Sequence, residues 1–237
     1  MFESALPRYV QIANDLRDHI QQGVYQVGDR LPSQQDLGGQ FGVNRHTVRQ
    51  AVEILKGEGL LRVDKGLGVF VANAPINYPI GKRLRYIETL KAQGRSGRYQ
   101  VLRIVEAVAV GKVAEYLELK SGAAVAQYET LGLANEAPLN VSTSYFPLTL
   151  CPDILDRLPE CTSISKLVYD AYGFDHIRRR TLISSRPVKP EDARLLKVAR
   201  NQSILLVQSI NENQHGVPIE HTITRFRADS VELVIDV

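Results

Sequence analysis

The first 57 residues contain three stretches in which apolar side chains recur at the spacing of an α-helix. These stretches span residues 7–23, 33–41 and 44–57. The third is the clearest, because its apolar positions follow the i, i+3, i+4, i+7 rule: Val48, Ala51, Val52 and Leu55. Ser33 and Asn44 stand at the starts of the second and third stretches, where such side chains cap helices. The pattern predicts three short helices, with a tight turn between the last two.

Two short apolar runs follow, at residues 60–63 and 69–72, and they flank a turn that contains Gly66 and Gly68. Glycine tolerates the positive φ angles of a tight hairpin, and it lets a backbone approach a phosphate closely. A helix-turn-helix followed by a hairpin is the element order of a winged helix-turn-helix domain. We therefore expect residues 1–72 to bind double-stranded DNA, with the polar face of the third helix in the major groove. For the isolated helix, a merely solvated polar face explains the pattern equally well.

The charge of the chain does not by itself indicate a nucleic-acid partner. The formal net charge is +3, and residues 1–74 contain eight basic and eight acidic side chains. Since this total offers no attraction to phosphates, DNA binding by the segment must depend on where its cations lie.

Beyond residue 80 the dominant pattern is extended, with segments rich in Val, Ile, Tyr and Thr. The predicted strands are residues 99–110, 123–133, 138–146, 176–187, 203–214, 217–228 and 231–236. The predicted helices are residues 84–93, 112–118, 164–172 and 190–198. Turns at Asn135-Glu136 and His215-Gly216 indicate an α+β domain, an antiparallel sheet with helices on one side. Residues 73–80 contain two prolines and no helical period, so we predict a linker between domains 1–72 and 81–237.

Several classes of protein are disfavoured by the sequence. It contains no run of about 18 apolar residues and no N-terminal basic segment followed by an apolar one, so we expect no membrane span, no secretory signal and a cytoplasmic location. Cys151 and Cys161 lack the spacing of metal or redox motifs, and we interpret them as free thiols. No histidine pattern or catalytic signature is present. We therefore predict no metal, no cofactor and no catalytic residue.

Four motifs in the first domain carry a resemblance to a known family. In order along residues 7–72 they are PRYVQIANDLRDHI, GDRLPSQQDL, FGVNRHTVRQAVEIL and GLLRVDKGLGVFV. They resemble the winged-helix domain of the GntR family of bacterial transcription regulators. The resemblance implies DNA contacts by Arg45, Thr47 and Arg49 of the third helix and by Lys65 and Gly66 of the wing. The neighbouring polar candidates for DNA binding are Gln34, Gln35, Asn44 and His46.

The second helix departs from that family near its start. Many relatives carry an arginine for DNA at the place where Gln34 or Gln35 stands here. A glutamine can hydrogen-bond a base or a phosphate, but it cannot neutralise one. We therefore expect a shallower dependence of DNA affinity on salt.

The second domain carries looser motifs, PLNVSTSYFP, SSRPVKPEDARLL and VPIEHTITRFRAD. They are similar to the UTRA effector domain of the histidine-utilisation-repressor subfamily, which has a chorismate-lyase-like fold. The resemblance implies a dimerisation domain that binds a small metabolite on one face of its sheet. UTRA domains specific for phosphorylated sugars carry two arginines on the strand before Asn135, whereas this chain has Thr130 and Gly132. That departure argues against an ordinary sugar-phosphate pocket.

A narrower resemblance concerns the effector. The stretch NYPIGKRLRYIETLKAQG is similar to the linker and first effector helix of regulators of phosphonate metabolism, including an arginine at Arg85. It implies a small anionic effector, a phosphonate or phosphate compound, since guanidinium groups suit such oxygens. Strand alternation places Glu220, Thr222 and Thr224 on one face. The candidate effector-binding residues are Arg83, Arg85, Ser142, Ser144, Arg178, Glu220, Thr222, Thr224 and Arg227.

These inferences lead to one main prediction and three alternatives. The main prediction is a homodimeric repressor of phosphonate uptake or utilisation genes, which binds operator DNA and responds to the effector. The alternatives are a repressor that responds to a sugar phosphate or another small metabolite, an architectural DNA-binding module that senses no metabolite, and an enzyme on the lyase-like fold. For each effector candidate an ordinary exposed strand face also explains the sequence, and for Arg227 so does an ion pair with Asp229.

Overall fold

The computed structural model describes residues 6–64, 66–72, 75–82 and 86–235. The chain forms two compact units, Met1–Ala74 and Pro75–Val237. Each unit encloses its own clusters of buried apolar side chains, so each is considered by itself.

The first unit contains the three predicted helices and the predicted hairpin. Its elements are α1 (Arg8–Gln21), α2 (Gln34–Phe41), α3 (Arg45–Gly57), β1 (Leu61–Asp64) and β2 (Gly68–Val71). Local signals explain where α2 begins and ends. Ser33 and Asp36 form a reciprocal capping box at its start, and Gly42 ends it in the left-handed conformation with a φ of 63°.

The apolar stripe predicted on α3 lies at the centre of this unit's core. Val48, Ala51, Val52 and Leu55 are each at most 1% exposed. They pack against Ile12, Leu16, Leu61 and Val71 of α1 and the hairpin. Full burial of a valine or leucine side chain contributes roughly 1.5–3 kcal/mol. The apolar side therefore determines the orientation of α3, and its polar side is left at the surface.

A short extended segment adds a third partner to the hairpin. The N–H of Leu31 donates to the carbonyl of Val69 at 2.8 Å, and the N–H of Val71 donates to the carbonyl of Asp29 at 2.9 Å. Arg30 lies between these two bonds and bridges to Phe70. We call β1, β2, their turn and residues 29–31 together the wing.

The second unit is built on a six-stranded antiparallel sheet. The strands of this unit are β3 (Ile76–Pro79), β4 (Gly97–Val108), β5 (Ala124–Ala134), β6 (Ala137–Pro147), β7 (Ile177–Pro187), β8 (Ser203–Glu212), β9 (Pro218–Arg227) and β10 (Val231–Val234). Strands β3 and β10 form a separate two-stranded sheet. The six-stranded sheet follows the order β4-β5-β6-β9-β8-β7. The β5–β6 hairpin turns at Asn135 and Glu136, with positive φ angles of 46° and 61°. The predicted α+β class with an antiparallel sheet is confirmed.

The linker predicted for residues 73–80 is wrong over half its length, because β3 occupies Ile76–Pro79 and pairs in parallel with β10. Ile76 and Tyr78 point inward and are 1% and 7% exposed. A four-residue alternation is too short to stand out beside two prolines, and Pro79 is tolerated at the end of an edge strand. Asn73 and Ala74 lie outside the described residues.

Helices cover both faces of the sheet, so the prediction of helices on one side is wrong. They are α4 (Tyr86–Ala92), α5 (Lys112–Tyr116), α6 (Ile154–Arg157), α7 (Ile164–Tyr172) and α8 (Pro190–Leu195), with a 3-10 turn after α6. Val141 of β6 packs in one cluster with Ala193 of α8, whereas the adjacent Ser142 faces the side of α4 and α7. The central strand β6 is buried on both sides, so both sides require cover.

Candidate DNA-binding surface and effector cavity

The predicted DNA-contacting side chains gather where α2 and α3 begin. Asn44 Oδ1 accepts hydrogen bonds from the backbone N–H of Thr47 at 2.9 Å and from its hydroxyl at 3.1 Å, so Asn44 caps α3. Arg45 Nε donates to Gln34 Oε1 at 3.3 Å, which links the two helix starts. Gln35 is exposed. The side chain of Asn44, predicted to bind DNA, is thus engaged in holding the recognition helix.

Ion pairs divide the cations of this unit into two groups. Arg17, Lys56 and Arg62 each lie within 3.4 Å of a carboxylate oxygen. Arg45 and Arg49 are exposed and instead contact the Gln34 amide and the His46 imidazole. A cation that is already paired with a carboxylate offers less net charge to a phosphate. The neutral total of the segment therefore conceals a positive surface along the first turns of α3.

The turn at the tip of the wing has a backbone conformation that favours glycine. Gly66 adopts a φ of 83°, which side-chain-bearing residues rarely adopt. A Cβ at Gly66 would meet no atom within 4 Å, so the turn needs glycine for its conformation and not for space. The residue is exposed, which leaves its backbone open to a ligand. Lys65 lies outside the described residues, and its DNA contact stays a prediction.

A cavity of about 420 Å³ lies in the second unit, on the face of the sheet that α4 and α7 cover. Five predicted effector residues line it, Ser142, Ser144, Glu220, Thr222 and Thr224. The register of β6 and β9 places Ser142 opposite Thr224 and Ser144 opposite Thr222. Their hydroxyl oxygens lie 3.0 and 3.2 Å apart. Two hydroxyl pairs therefore form the cavity floor.

Glu220 follows these pairs along β9 and is 2% exposed. Its Oε2 accepts hydrogen bonds from His176 Nε2 at 2.7 Å and from Asn211 Nδ2 at 2.6 Å, and His176 Nδ1 contacts Ser165 Oγ at 2.8 Å. Burial opposes the charge of Glu220 most strongly. The opposing charge of His176, with hydrogen bonds from His176 and the neighbouring hydroxyls, outweighs burial and lowers the pKa of Glu220. The cavity therefore holds an ionised carboxylate at neutral pH.

Four lining tyrosines were missed by the sequence analysis, Tyr78, Tyr86, Tyr99 and Tyr128. Burial raises the pKa of Tyr78, Tyr86 and Tyr128, to about 12 for Tyr128, so these three hydroxyls stay neutral. Tyr86 packs on Tyr99 with ring centroids 4.7 Å apart, and Tyr78 packs on Phe226 at 5.0 Å. We call Tyr78, Tyr86, Tyr99 and Phe226 the aromatic wall. These residues come from four separate elements, so no local pattern signals them.

Gly132 makes room for the aromatic wall. It pairs with Tyr99 on β4 and with Asn140 on β6. A Cβ at Gly132 would lie 2.7 Å from Asn140 Nδ2 and 2.9 Å from the Tyr86 hydroxyl. Thr130, on the same strand, lines the cavity and is 4% exposed. Thr130 and Gly132 stand where the sequence places the arginine pair of sugar-phosphate-specific domains, and any side chain at position 132 would have to displace Asn140 or Tyr86.

The predicted effector role of Arg227 is wrong, because strand alternation turns Arg227 to the opposite face of β9 from the cavity. Its guanidinium donates to both carboxylate oxygens of Asp229, at 3.0 and 2.9 Å. Arg227 is 5% exposed, so this contact forms inside the unit. The alternative of a structural ion pair with Asp229 is therefore the one that the geometry supports.

Arg178 does not line the cavity either. Its Nη1 donates to the carbonyl of Gly81 at 2.9 Å. Arg83 and Arg85 fall outside the described residues, and their contacts with an effector stay predictions. Within the described lining there is no lysine or arginine, although the sequence predicts an anionic effector.

The described parts of the chain also bear on metal binding, on disulfide formation and on membrane insertion. They contain no cluster of three or more histidine, cysteine or acidic side chains that could hold a metal ion. Cys151 and Cys161 are free thiols. No described helix is both long enough and apolar enough to cross a bilayer.

Comparison with known proteins identifies both halves of the chain. The model of the gntR family of bacterial regulatory proteins matches residues 8–71, and the model of the UTRA domain matches residues 92–232. An uncharacterized HTH-type transcriptional regulator of Rhizobium meliloti (strain 1021) is 32% identical over 95% of this chain and 93% of its own length. The probable transcriptional regulator PhnF of Escherichia coli (strain K12) is 31% identical, over 97% and 95% respectively.

A solved structure shows the same fold. The crystal structure of PhnF from Mycobacterium smegmatis matches with a TM-score of 0.69 at 23% identity, over 95% of this chain and 98% of the other. The similar curated proteins are transcription regulators and not enzymes. The chain therefore belongs to the GntR family of bacterial transcription regulators, as a DNA-binding member in which a UTRA domain follows the winged helix.

Proposed function

We propose that the protein is a homodimeric repressor of phosphonate uptake or utilisation genes, which releases operator DNA when a small anionic effector occupies the cavity. The observation that carries this proposal is the cavity itself, about 420 Å³ with converging hydroxyls, in a different unit from the DNA-binding surface. Repression is supported by similarity to two repressors, NagR of Bacillus subtilis (strain 168) at 25% identity and a probable fructoselysine utilization operon transcriptional repressor of Escherichia coli (strain K12) at 24%.

The DNA half of the mechanism depends on α3. Two copies of α3 enter successive major grooves of an inverted repeat, roughly 34–36 Å apart. Arg45 and Arg49 supply charge there, and Thr47, Gln34, Gln35 and His46 supply hydrogen bonds. Lys65 and the Gly66 backbone contact the sugar-phosphate backbone at the wing. The operator would be a pseudo-palindrome because the dimer is symmetric, and the protein works in the cytoplasm, where its DNA lies.

The effector half depends on the hydroxyl floor. Ser142, Ser144, Thr222 and Thr224 present rotatable donors that suit anionic oxygens. Arg85 is proposed to add charge, as the resemblance to phosphonate-metabolism regulators implies. The closed position at Gly132 supports a phosphonate over a phosphorylated sugar.

Release requires that the effector bind the DNA-free arrangement better than the DNA-bound one. A ligand with equal affinity for both arrangements would shift nothing. Each bound effector must therefore weaken DNA binding by the same factor by which operator DNA weakens effector binding.

A paired titration tests the proposal. The operator is first selected from random DNA by the protein itself, and its binding is followed by fluorescence anisotropy with alkyl and aminoalkyl phosphonates, glucosamine 6-phosphate and urocanate. Thermal unfolding is measured with the same compounds. At least one phosphonate should raise the unfolding temperature and release the operator, while the other two compounds do neither. Release by the sugar phosphate alone would favour the alternative effector class. DNA affinity unchanged by every compound is the result expected of an architectural module.

A further inference from the structure

The charged groups that face the cavity are all acidic within the described lining. They are Glu88 and Glu220, and every other described lining side chain is neutral. Glu220 is ionised and buried, so its charge is poorly screened by solvent. His176 lies 2.7 Å from the carboxylate and offsets part of that charge, while the group that lines the cavity is the carboxylate. A hydrogen-bond donor therefore suits the Glu220 end of the cavity better than a further acceptor does.

Glu220 is held in one orientation by the protein. His176 and Asn211 both donate to Oε2, at 2.7 and 2.6 Å, and the hydroxyls of Ser144 and Thr222 also hydrogen-bond the carboxylate. A carboxylate in this state accepts hydrogen bonds and donates none. A ligand group that replaces these hydroxyls at the carboxylate must itself be a donor, and an ammonium group combines several donors with a positive charge.

Aromatic rings complete the surroundings that favour an amine. Tyr128 lies directly opposite Ser144 in the register of β5 and β6, and Ser144 lies opposite Thr222 in the register of β6 and β9. The aromatic wall lines the same cavity. Neutral ring faces attract cations through their quadrupole, and they attract them more strongly where water is excluded.

We propose that the effector is an aminoalkyl phosphonate. Its ammonium group donates to Glu220 and lies against Tyr128, and its phosphonate oxygens accept from the hydroxyls of Ser142 and Thr224 farther along the floor. His176 is a positioning residue that holds the carboxylate without touching the effector. The phosphonate half of this assignment rests on the proposed function, whereas the amine half rests on Glu220.

Calorimetric titration of the protein with three probes tests the amine assignment and the phosphonate assignment separately. We expect 2-aminoethylphosphonate to bind at least tenfold more tightly than either ethylphosphonate, which lacks the amine, or ethanolamine, which lacks the phosphonate. Equal binding of the two phosphonates would overturn the amine assignment and leave the proposed function standing. Binding of ethanolamine as tight as that of 2-aminoethylphosphonate would remove the phosphonate half. Failure of all three probes would overturn both.

A matched pair of variants assigns the preference to its residue. In Glu220→Gln the affinity for 2-aminoethylphosphonate should fall about tenfold, to that of ethylphosphonate, whose own affinity is unchanged or higher. Glu136→Gln is the control, since it removes an exposed carboxylate that pairs with Arg98 at 2.6 Å outside the cavity. A Glu220→Gln protein that keeps the full preference for the amine would overturn the assignment. If that variant unfolds, the three-probe series on the natural protein still decides.

An independent observation concerns Arg30 in the wing. Its Nε lies 2.7 Å from where a Cβ would stand on Gly68, two residues from the tip glycine Gly66. The nearby Arg62 pairs with Asp64 at 3.4 Å, whereas no carboxylate within the described residues pairs with Arg30. Arg30 is exposed, so its charge is available to a ligand at the wing.

We infer that Arg30 is a further DNA-binding residue, which contacts a backbone phosphate beside the wing. A phosphate contact adds affinity without sequence preference, so Arg30→Gln should weaken binding to operator and unrelated DNA by the same factor. The slope of log affinity against log salt should become shallower by about one unit.

Two further substitutions make the test of Arg30 decisive. Arg30→Lys keeps the charge and should restore the salt slope. Arg17→Gln removes a guanidinium that already pairs with Glu58 at 2.7 Å, and it should leave the slope unchanged. A salt slope for Arg30→Gln equal to that of the natural protein would overturn the inference.

Discussion

The two units place their functional side chains in different ways. At the start of α3, the contacts Asn44–Thr47 and His46–Arg49 span three positions, and Gln34–Arg45 spans eleven. In the effector cavity, the Ser142–Thr224 contact spans 82 positions and the Ser144–Thr222 contact spans 78. The DNA-binding surface is therefore a property of two adjacent helices, whereas the cavity exists only after the sheet has formed. Substitutions in the first unit should therefore affect DNA binding, and substitutions in the second unit should affect effector binding.

Truncating one core side chain of the first unit should give the largest loss of unfolding free energy. Leu55 is 0% exposed on the buried side of α3, so Leu55→Ala should cost about 2–5 kcal/mol of unfolding free energy. Calorimetry should show a lowered transition for the DNA-binding unit and loss of operator binding, while effector binding in the cavity persists. An equal loss of effector affinity would break the separation between local and long-range sites.

Acidification should act on the second unit. His221 is 0% exposed between Tyr116 and Tyr145, and burial, the main cause, lowers its pKa from 6.5 to about 4, with Lys112 lowering and Glu220 raising it. Between pH 6.5 and pH 4 the unfolded chain therefore binds a proton at His221 that the folded chain does not bind. The contribution of the neutral imidazole to the free energy of unfolding is complete above pH 6.5 and is lost as the pH falls towards 4. This loss amounts to about 3 kcal/mol of unfolding free energy when His221 titrates over the whole interval.

Urea unfolding at pH 7 and pH 4.5 measures this effect. His221→Phe should lose less stability than the natural protein over that interval, because phenylalanine has no proton to bind. Equal losses in both proteins would show that other groups cause the acid sensitivity.

A single methyl group should test the packing of the cavity. In Gly132→Ala the new Cβ would lie 2.7 Å from Asn140, and overpacking of this kind costs about 1–3 kcal/mol. Effector affinity should fall, and operator binding without effector should remain. Gly81→Ala is the control, because a Cβ there meets no atom within 4 Å. Equal stability of both variants would mean that the aromatic wall does not require a glycine at position 132.

The smallest effect on folding should come from the recognition helix. Arg49 is exposed, so Arg49→Ala should leave the unfolding temperature unchanged. It should weaken operator binding by about 1–3 kcal/mol if Arg49 contacts a base, and by less if it contacts a phosphate. Anisotropy titrations with the operator and with scrambled DNA distinguish these outcomes. Unchanged affinity for both would remove Arg49 from the DNA-binding surface.

The sequence predicted an element correctly where the residues that stabilise it are close to one another along the chain. The α3 stripe, the Ser33 capping box and the hairpin around Gly66 all depend on neighbours a few positions apart. Strand alternation also placed Glu220, Thr222 and Thr224 on one face. The same alternation correctly applied would have turned Arg227 away from that face, since Arg227 differs from Thr224 by an odd number of positions.

The linker and the helix layers show where such reasoning failed. Ile76–Pro79 became β3 because β10 supplies its partner from the other end of the chain, and no local pattern encodes that partner. Helices cover both faces of the sheet because β6 lies at its centre, which is a property of strand order. Strand order depends on long-range pairing, so alternation within one strand cannot reveal it.

Local patterns in the sequence were enough to predict the family, the α+β class and the polar face of α3, because helix periodicity and turn residues act over a few positions. The folded structure was needed to show which described cations pair with carboxylates and which side chains share the cavity. It brought Tyr78, Tyr86, Gly132 and Glu220 to one surface from separate elements. The physical reason is that ion pairing and burial depend on distances through space, and those distances are set only when the long-range strand pairs have formed.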